Sequence, residues 1–270
     1  MKAETSQVKV TIVKVPVPRS HPRFELLMVR EQMVEGLARG LVVPEGLIAH
    51  GRGECFDYLI GEKTEFFALK AIRAAAASFL LAEKPVISVN GNLAALCARE
   101  LVELSKATGA PLEVNLFYRS KLREKTVASA LKAAGASRIL GVNASKRIPR
   151  LKSFRSLAEA KGIIEADLVL LGIEDGNRVE ALRKAGKKVV VIDLNPLSRS
   201  AFNASITIID NVVRALPKLR LEIEKLRSAS KQRLRREASS YDNREALAEA
   251  LNYIRSRLER LSSNLASGRS

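Results

Sequence analysis

Residues 85–120, PVISVNGNLAALCARELVELSKATGAPLEVNLFYRS, decide the fold. Pro85 to Val89 is a short apolar run rich in β-branched residues, and Asn90-Gly91-Asn92 ends it with residues that turn chains and cap helices. Leu93 to Thr108 then has helical spacing, and Leu112 to Phe117 is a second apolar run. Strand, helix and strand in that order imply a right-handed crossover between neighbouring strands of a mostly parallel sheet.

The alternation continues on the C-terminal side. Further strands are expected at Arg138 to Val142, Leu168 to Ile173, Val189 to Leu194 and Ser205 to Ile209, and helices at Lys121 to Ala134, Ser153 to Ile164 and Asn177 to Ala185. Ligands of such sheets bind beyond the carboxyl ends of the strands, so the segments after the strands should be polar. They are: Asn90-Gly91-Asn92, Tyr118-Arg119-Ser120, Asn143 to Arg147, Glu174 to Arg178, Asp193 to Ser200 and Asp210-Asn211. Each set by itself also suits a cap or turn. Converging on one sheet edge with Arg119, Lys146, Arg147, Arg178 and Arg199, they describe a pocket for a polyanion.

On the N-terminal side, Val8 to Val17 reads as a short strand or extended arm. Ser20 is placed as the N-cap of a helix running to Arg39, with Pro22 in its first turn and Gly40 as its stop. Leu26, Leu27, Met33, Val34 and Leu37 form its apolar stripe, and Arg30 falls on the same stripe. A guanidinium there either snorkels to the surface or pairs with an anion, which makes Arg30 a ligand candidate.

The stretch GLIAHGRGECFDYLIGEKT, Gly46 to Thr64, places His50, Arg52, Glu54 and Asp57 among four glycines, and is expected to be an active-site loop. It is neither a Walker A loop nor GxGxxG. His50, between Ala49 and Gly51, is the acid–base candidate, whereas His21 suits a structural place at a helix start. Glu65 to Ala82 is an alanine-rich helix whose small residues allow close packing.

Beyond Pro217 the composition becomes basic and helical, and Leu247, Leu251, Ile254, Leu258 and Leu261 make the seam of a helix that packs on another. A helical hairpin broken at Ser239 to Asn243 is expected, with SSNLASGRS frayed at the end. The organisation is therefore a domain of residues 1–217, comprising helices and glycine-rich segment 1–84 and sheet 85–217, followed by a basic extension, 218–270.

A hydrophobic content of 47% over 270 residues supports a full core. Cys55 and Cys97 have neither disulfide-framework nor zinc spacing, no metal-ligating set is seen, and no signal peptide or membrane span is supported, all of which fits a cytoplasmic protein. The net charge of +17 calls for anionic partners. The tail from Lys218 holds 13 Lys/Arg against 7 Asp/Glu, so most of the excess lies on the body. An aromatic content of 4% without tryptophan argues against a stacking surface for single-stranded nucleic acid.

Together RSHPRFELLMVRE, GLIAHGRGECFDYLIGEKT, PVISVNGNLAAL, EVNLFYRS, EDGNR, VIDLNPLSRSA and ITIIDNVVRA resemble the 4-phosphopantoate--beta-alanine ligase family, the archaeal phosphopantothenate synthetases of coenzyme A biosynthesis. The resemblance spans about Val15 to Pro217. It implies a Rossmann-like homodimer that condenses 4-phosphopantoate with β-alanine, uses ATP and Mg²⁺, and releases AMP and diphosphate by way of a phosphopantoyl-adenylate. Matched by position, it implies ATP contacts at Arg30, Arg52, Asp193, Leu194, Asn195, Arg199, Ser200, Asn211 and Val212.

On that reading Arg30, Arg52 and Arg199 neutralise the triphosphate. Asn90, Gly91, Asn92 and Arg119, with Lys146 or Arg147, meet the substrates' anionic groups, and His50 or Asp57 accepts the proton of β-alanine. Two alternatives stand beside it: a basic nucleic-acid-binding protein, which the glycine-rich constellation and DLNPLSRS disfavour, and an ATP-dependent kinase of a pantoate-like substrate.

Overall fold

The structure, a computed structural model, describes residues 16–268. Five-residue apolar runs form the central strands because both faces of the sheet are covered. Strands β1 (Pro85–Val89), β2 (Leu112–Val114), β3 (Ile139–Leu140), β6 (Leu168–Gly172), β7 (Lys188–Ile192) and β8 (Ile206–Ile208) make one parallel sheet in the order β3-β2-β1-β6-β7-β8. A two-residue antiparallel pair, β4 (Lys146–Arg147) with β5 (Leu157–Ala158), lies outside it. Omitting that pair, the order is the doubly wound Rossmann order, with the direction of winding reversing between β1 and β6.

Alternation along each strand sorts the core into two layers. Ile87, Val89, Leu168, Leu170, Val190 and Ile192 join one cluster with helices α3 (Phe66–Leu81), α4 (Gly91–Thr108), α5 (Lys121–Ala133) and α8 (Val212–Leu226). Val86, Val169, Leu171, Val189 and Val191 face the other way, onto α6 (Gly176–Lys184) and the segment Ile148–Ile163. Short helix α7 (Arg199–Asn203) connects β7 to β8.

Several expectations change. Helix α1 (Phe24–Ala38) starts after a turn at Ser20–Pro22, with Arg23 rather than Ser20 at its cap. Its buried positions are Val29, Met33 and Gly36, because the close approach to α4 needs a glycine: a Cβ on Gly36 would stand 2.7 Å from that of Ala95. Ser153 to Ile164 is no α-helix but a 3₁₀ turn, strand β5 and a π turn, in which Gly162 lies against the Glu113 carboxylate. The strand or arm expected at Val8 to Val17 falls almost wholly outside the described residues.

Gly46 to Thr64 is not a loop. Helix α2 (Pro44–Ile60) runs through Gly46, Gly51 and Gly53 and ends only at Gly61, whose φ of 88° suits glycine alone. The last three helices, α8, α9 (Lys231–Ser239) and α10 (Asn243–Ala266), break at Ser239–Asn243 as expected and once more at residues 227–230. Ser262 to Ala266, expected to fray, is helical. Leu219, Ile223, Leu226, Leu234, Leu247 and Ile254 belong to the main core cluster, where α3 presents its alanines to them.

Candidate active site

The carboxyl ends of β1, β6, β7 and β8 open into a cleft of about 650 Å³, and α2 lies across it. Gly46, Ala49, His50 and Gly53 fall at helical spacing on the face of α2 that lines the cleft, and a Cβ on Gly46 would stand 2.5 Å from the Asn92 Oδ1, so that glycine serves close approach. The helix is fastened at both ends. Asn92, in the first turn of α4, donates to the Gly46 carbonyl at 2.8 Å. At the other end the buried Asp57 carboxylate accepts from Asn211 at 3.2 Å and from Arg214 at 2.6 Å. Thr64, just beyond, donates to Asp210 at 2.6 Å.

The switch point is tied by one side chain. Asn90 caps α4 through the Leu93 amide at 3.0 Å, and its amide nitrogen reaches the carbonyls of Gly172 at 2.8 Å and Ile173 at 3.2 Å. Ile173 has φ of 51°, a left-handed conformation that a β-branched residue adopts only when its surroundings impose it.

On the β7–β8 side, Asp193 accepts from the Asn195 amide at 3.0 Å and the Ser198 hydroxyl at 2.5 Å, while burial raises its pKa above the usual aspartate range. Asn195 in turn accepts from the Leu197 amide at 2.8 Å, and Ser200 donates to the Glu174 carbonyl at 2.5 Å. Asn211 caps α8 through the Val213 amide at 3.3 Å. Arg52 is exposed in the cleft and makes no ion pair among the described residues. Arg199 lines the same wall, 3.2 Å from Glu180 at the surface. Two helix N-termini and two guanidiniums thus face one volume, an arrangement suited to a polyphosphate.

His50 Nε2 is buried, has no hydrogen-bond partner among the described residues, and stands 4.0 Å from Glu54. Burial lowers the His50 pKa below 6.5 against the opposing pull of Glu54, so the ring is neutral at pH 7 and able to accept a proton.

Of the expected site residues, Arg52, Asn90, Gly91, Asn92, Asp193, Leu194, Asn195, Arg199, Ser200, Asn211, Val212 and His50 line the cleft together. Arg30, Asp57 and Arg119 do not. The anion that Arg30 pairs with is Glu54, at 2.9 Å. Asp57 is fully engaged in fastening α2, which removes it as a free base. Arg119 is buried against Glu124 and donates to the carbonyls of Leu157 and Gly141 at 3.0 and 2.7 Å, so it ties backbone together. Lys146 and Arg147 sit exposed on β4, outside the lining.

Sequence reasoning missed Arg123 and Arg155, both of which line the cleft. Arg155 is 4% exposed and, with the fully buried Arg178, flanks the carboxylate of Glu174. Burial pushes the Arg178 pKa down to about 10 and that of Arg155 well below its usual value. Arg155 stood in a segment expected to be helical, and Arg123 inside a regular helix; no local pattern marks either as facing a ligand.

A family model described as phosphopantothenate/pantothenate synthetase matches residues 67–257. The chain belongs to this family. The match passes Pro217 and takes in α9 and most of α10, so the resemblance extends further than the motifs alone indicate. Three relatives named 4-phosphopantoate--beta-alanine ligase are similar over nearly their whole lengths. That of Thermococcus kodakarensis is 51% identical over 92% of this chain and 95% of its own. That of Thermococcus onnurineus is 49% identical over the same shares, and that of Methanosarcina mazei 46% over 90% and 96%.

Proposed function

We propose that the chain is an ATP-dependent ligase that joins 4-phosphopantoate to β-alanine, giving 4′-phosphopantothenate for coenzyme A biosynthesis with release of AMP and diphosphate. The family match carries the reading. A cleft at the Rossmann switch point, with phosphate-suited helix termini on one wall and a neutral buried histidine on another, supports it. We assign the reaction to the cytoplasm, where ATP is available; no described helix is long and apolar enough to cross a membrane.

A carboxylate resists an amine because its charge opposes attack and an oxide would have to leave. An oxygen of the 4-phosphopantoate carboxylate attacks the α-phosphorus of ATP, the bond to the β-phosphate oxygen breaks, and diphosphate departs with the electron pair. The nitrogen of β-alanine then attacks the acyl carbon, the carbon–oxygen bond to AMP breaks, and the surplus amine proton passes to His50 Nε2. Arg52 and Arg199 stabilise charge on the triphosphate and on the leaving diphosphate. The Asn195, Asn211 and Val212 region holds the nucleotide against β7 and β8. The Arg30 Nε donates to Glu54, so we read Arg30 first as the residue that holds Glu54 beside His50.

Among the described residues no group of three His, Cys, Asp or Glu side chains is placed to hold a metal ion. Mg²⁺ bound mainly by nucleotide phosphates and water needs only one or two protein carboxylates, and Asp175 and Asp193 line the cleft. It would enter with ATP and offset phosphate charge. We also propose a homodimer, in keeping with exposed Ile48, Tyr58, Phe66 and Leu69 on α2 and α3.

The test is turnover with ATP, Mg²⁺, 4-phosphopantoate and β-alanine, with both products identified by mass. Equal amounts of 4′-phosphopantothenate and AMP are expected. ADP, or no acyl product, would overturn the reading.

A further inference from the structure

Beneath the cleft lies a buried ion cluster that the reaction as described does not use. Arg178, in the first turn of α6, does not line the cleft and is wholly buried. Its guanidinium donates to the Glu174 carboxylate at 2.7 Å and to the Ser88 hydroxyl on β1 at 3.0 Å, and Arg155 pairs with the same carboxylate. Burial pushes the Arg178 pKa down to about 10, which leaves it charged at neutral pH. Burying two guanidiniums around one carboxylate costs free energy that apolar side chains of similar volume would not, so stability alone does not account for the cluster.

What the cluster holds is the turn of residues 173–176 that joins β6 to α6. Ile173 opens it in the left-handed conformation, and Asn90 takes the two carbonyls at that point. Glu174 follows with both ends engaged: its carboxylate is locked by Arg178, and its backbone carbonyl accepts from the Ser200 hydroxyl at 2.5 Å. Gly176 lies so close to α7 that a Cβ on it would stand 2.5 Å from that of Arg199 and 3.2 Å from the Ser200 amide nitrogen. One turn along α6, Glu180 pairs with the Arg199 guanidinium at 3.2 Å. Arg178 therefore ties β1 to the turn, and the turn fixes Arg199 and Ser200 on the β7–β8 wall.

We propose that Arg178 is a positioning residue for the nucleotide. Acting through Glu174 from beneath the cleft, it sets where Arg199 and Ser200 stand relative to the end of β1, and touches neither ATP nor the acid itself. A fork that spans a carboxylate and a hydroxyl on two different elements fixes that spacing in a way a single charge does not. The inference rests on the ligase reading only in taking the β7–β8 wall as the ATP side.

The test is a double-mutant cycle of Arg178→Lys and Ser200→Ala, reading the Kd for ATP and the melting temperature of each purified variant. Lysine keeps the charge but cannot span Glu174 and Ser88. Arg178→Lys should weaken ATP binding about tenfold, and the double variant should be no weaker than the worse single one, because both substitutions break the one link through Glu174. Ser88→Ala leaves the ion cluster in place and removes one hydrogen bond, so it should fold normally and weaken ATP binding about two- to tenfold. Lower melting temperatures with a wild-type Kd in Arg178→Lys and Ser88→Ala would reduce Arg178 to a structural role and overturn the proposal. Effects of Arg178→Lys and Ser200→Ala that multiply in the double variant would overturn it too, as would wild-type protein that binds no ATP. Since the readout is binding, protein that shows the expected ratios yet forms no phosphopantothenate would remove the ligase reading and leave the positioning role supported.

Discussion

At the scale of single residues the site depends on burial that changes what a side chain can do. His50 is the clearest case, since desolvation holds its pKa below 6.5 and leaves the ring neutral at the cleft, with Nε2 unpartnered among the described residues. A base must be deprotonated to act, so turnover is expected to rise with pH through a pKa below 6.5 and to be level above it. His50→Gln should lower kcat about 10²- to 10⁴-fold and abolish that acid limb while leaving ATP affinity intact. A variant with ordinary turnover across the pH range would remove His50 from the role. The residue was legible in the sequence because a lone imidazole sat among glycines. Arg155 was not, since its approach to the cleft is made by the tertiary fold around Asn115 and Glu174.

At the scale of elements, α2 is the unit that makes the site. Its three glycines, Gly61 at its end and its many charges read as a loop because local propensity opposes a helix there, by about 1 kcal/mol for each interior glycine relative to alanine. Tertiary contacts override that preference: Asn92 holds one end and Asp57 with Arg214 the other, and Gly46 is what lets the helix lie close against Asn92 at the cleft. Gly46→Ala would put a Cβ 2.5 Å from the Asn92 Oδ1 and should destabilise by about 1–3 kcal/mol. Asp57→Asn should cost about 2–3 kcal/mol, less than for a fully buried pair because Arg214 is partly exposed and keeps Asp210. Thermal unfolding should then fall by roughly 4–12 °C, and KM for ATP should rise as Arg52 loses its fixed position. Unchanged melting and kinetics would show that α2 needs no such fastening. The strands β1, β6, β7 and β8, in contrast, were legible to within two residues, whereas the expected Leu112 to Phe117 and Arg138 to Val142 shorten to Leu112–Val114 and Ile139–Leu140 near the sheet edge. A double-covered parallel sheet demands continuous apolar runs, and their β-branched residues set these runs apart from the alanine-rich run of α3.

At the scale of the whole molecule, the sheet, the helices over it and the C-terminal helices share one core cluster. Deleting residues after Leu226 would uncover Phe67, Ala71 and Ala75 on α3, so the shortened chain is expected to lose its cooperative transition and its activity together; a folded, fully active product would instead make the C-terminal helices an accessory. The basic tail looked separable in sequence because composition changes at Pro217, yet Pro217 lies inside α8 and the helix continues through it. What joins these scales is one claim, that the switch-point cleft activates an acid by passing it to the α-phosphorus of ATP. The measurement that tests it most directly uses 4-phosphopantoate with ¹⁸O in its carboxylate. One labelled oxygen in AMP for each 4′-phosphopantothenate formed is the expected result, whereas label in inorganic phosphate accompanied by ADP would contradict it.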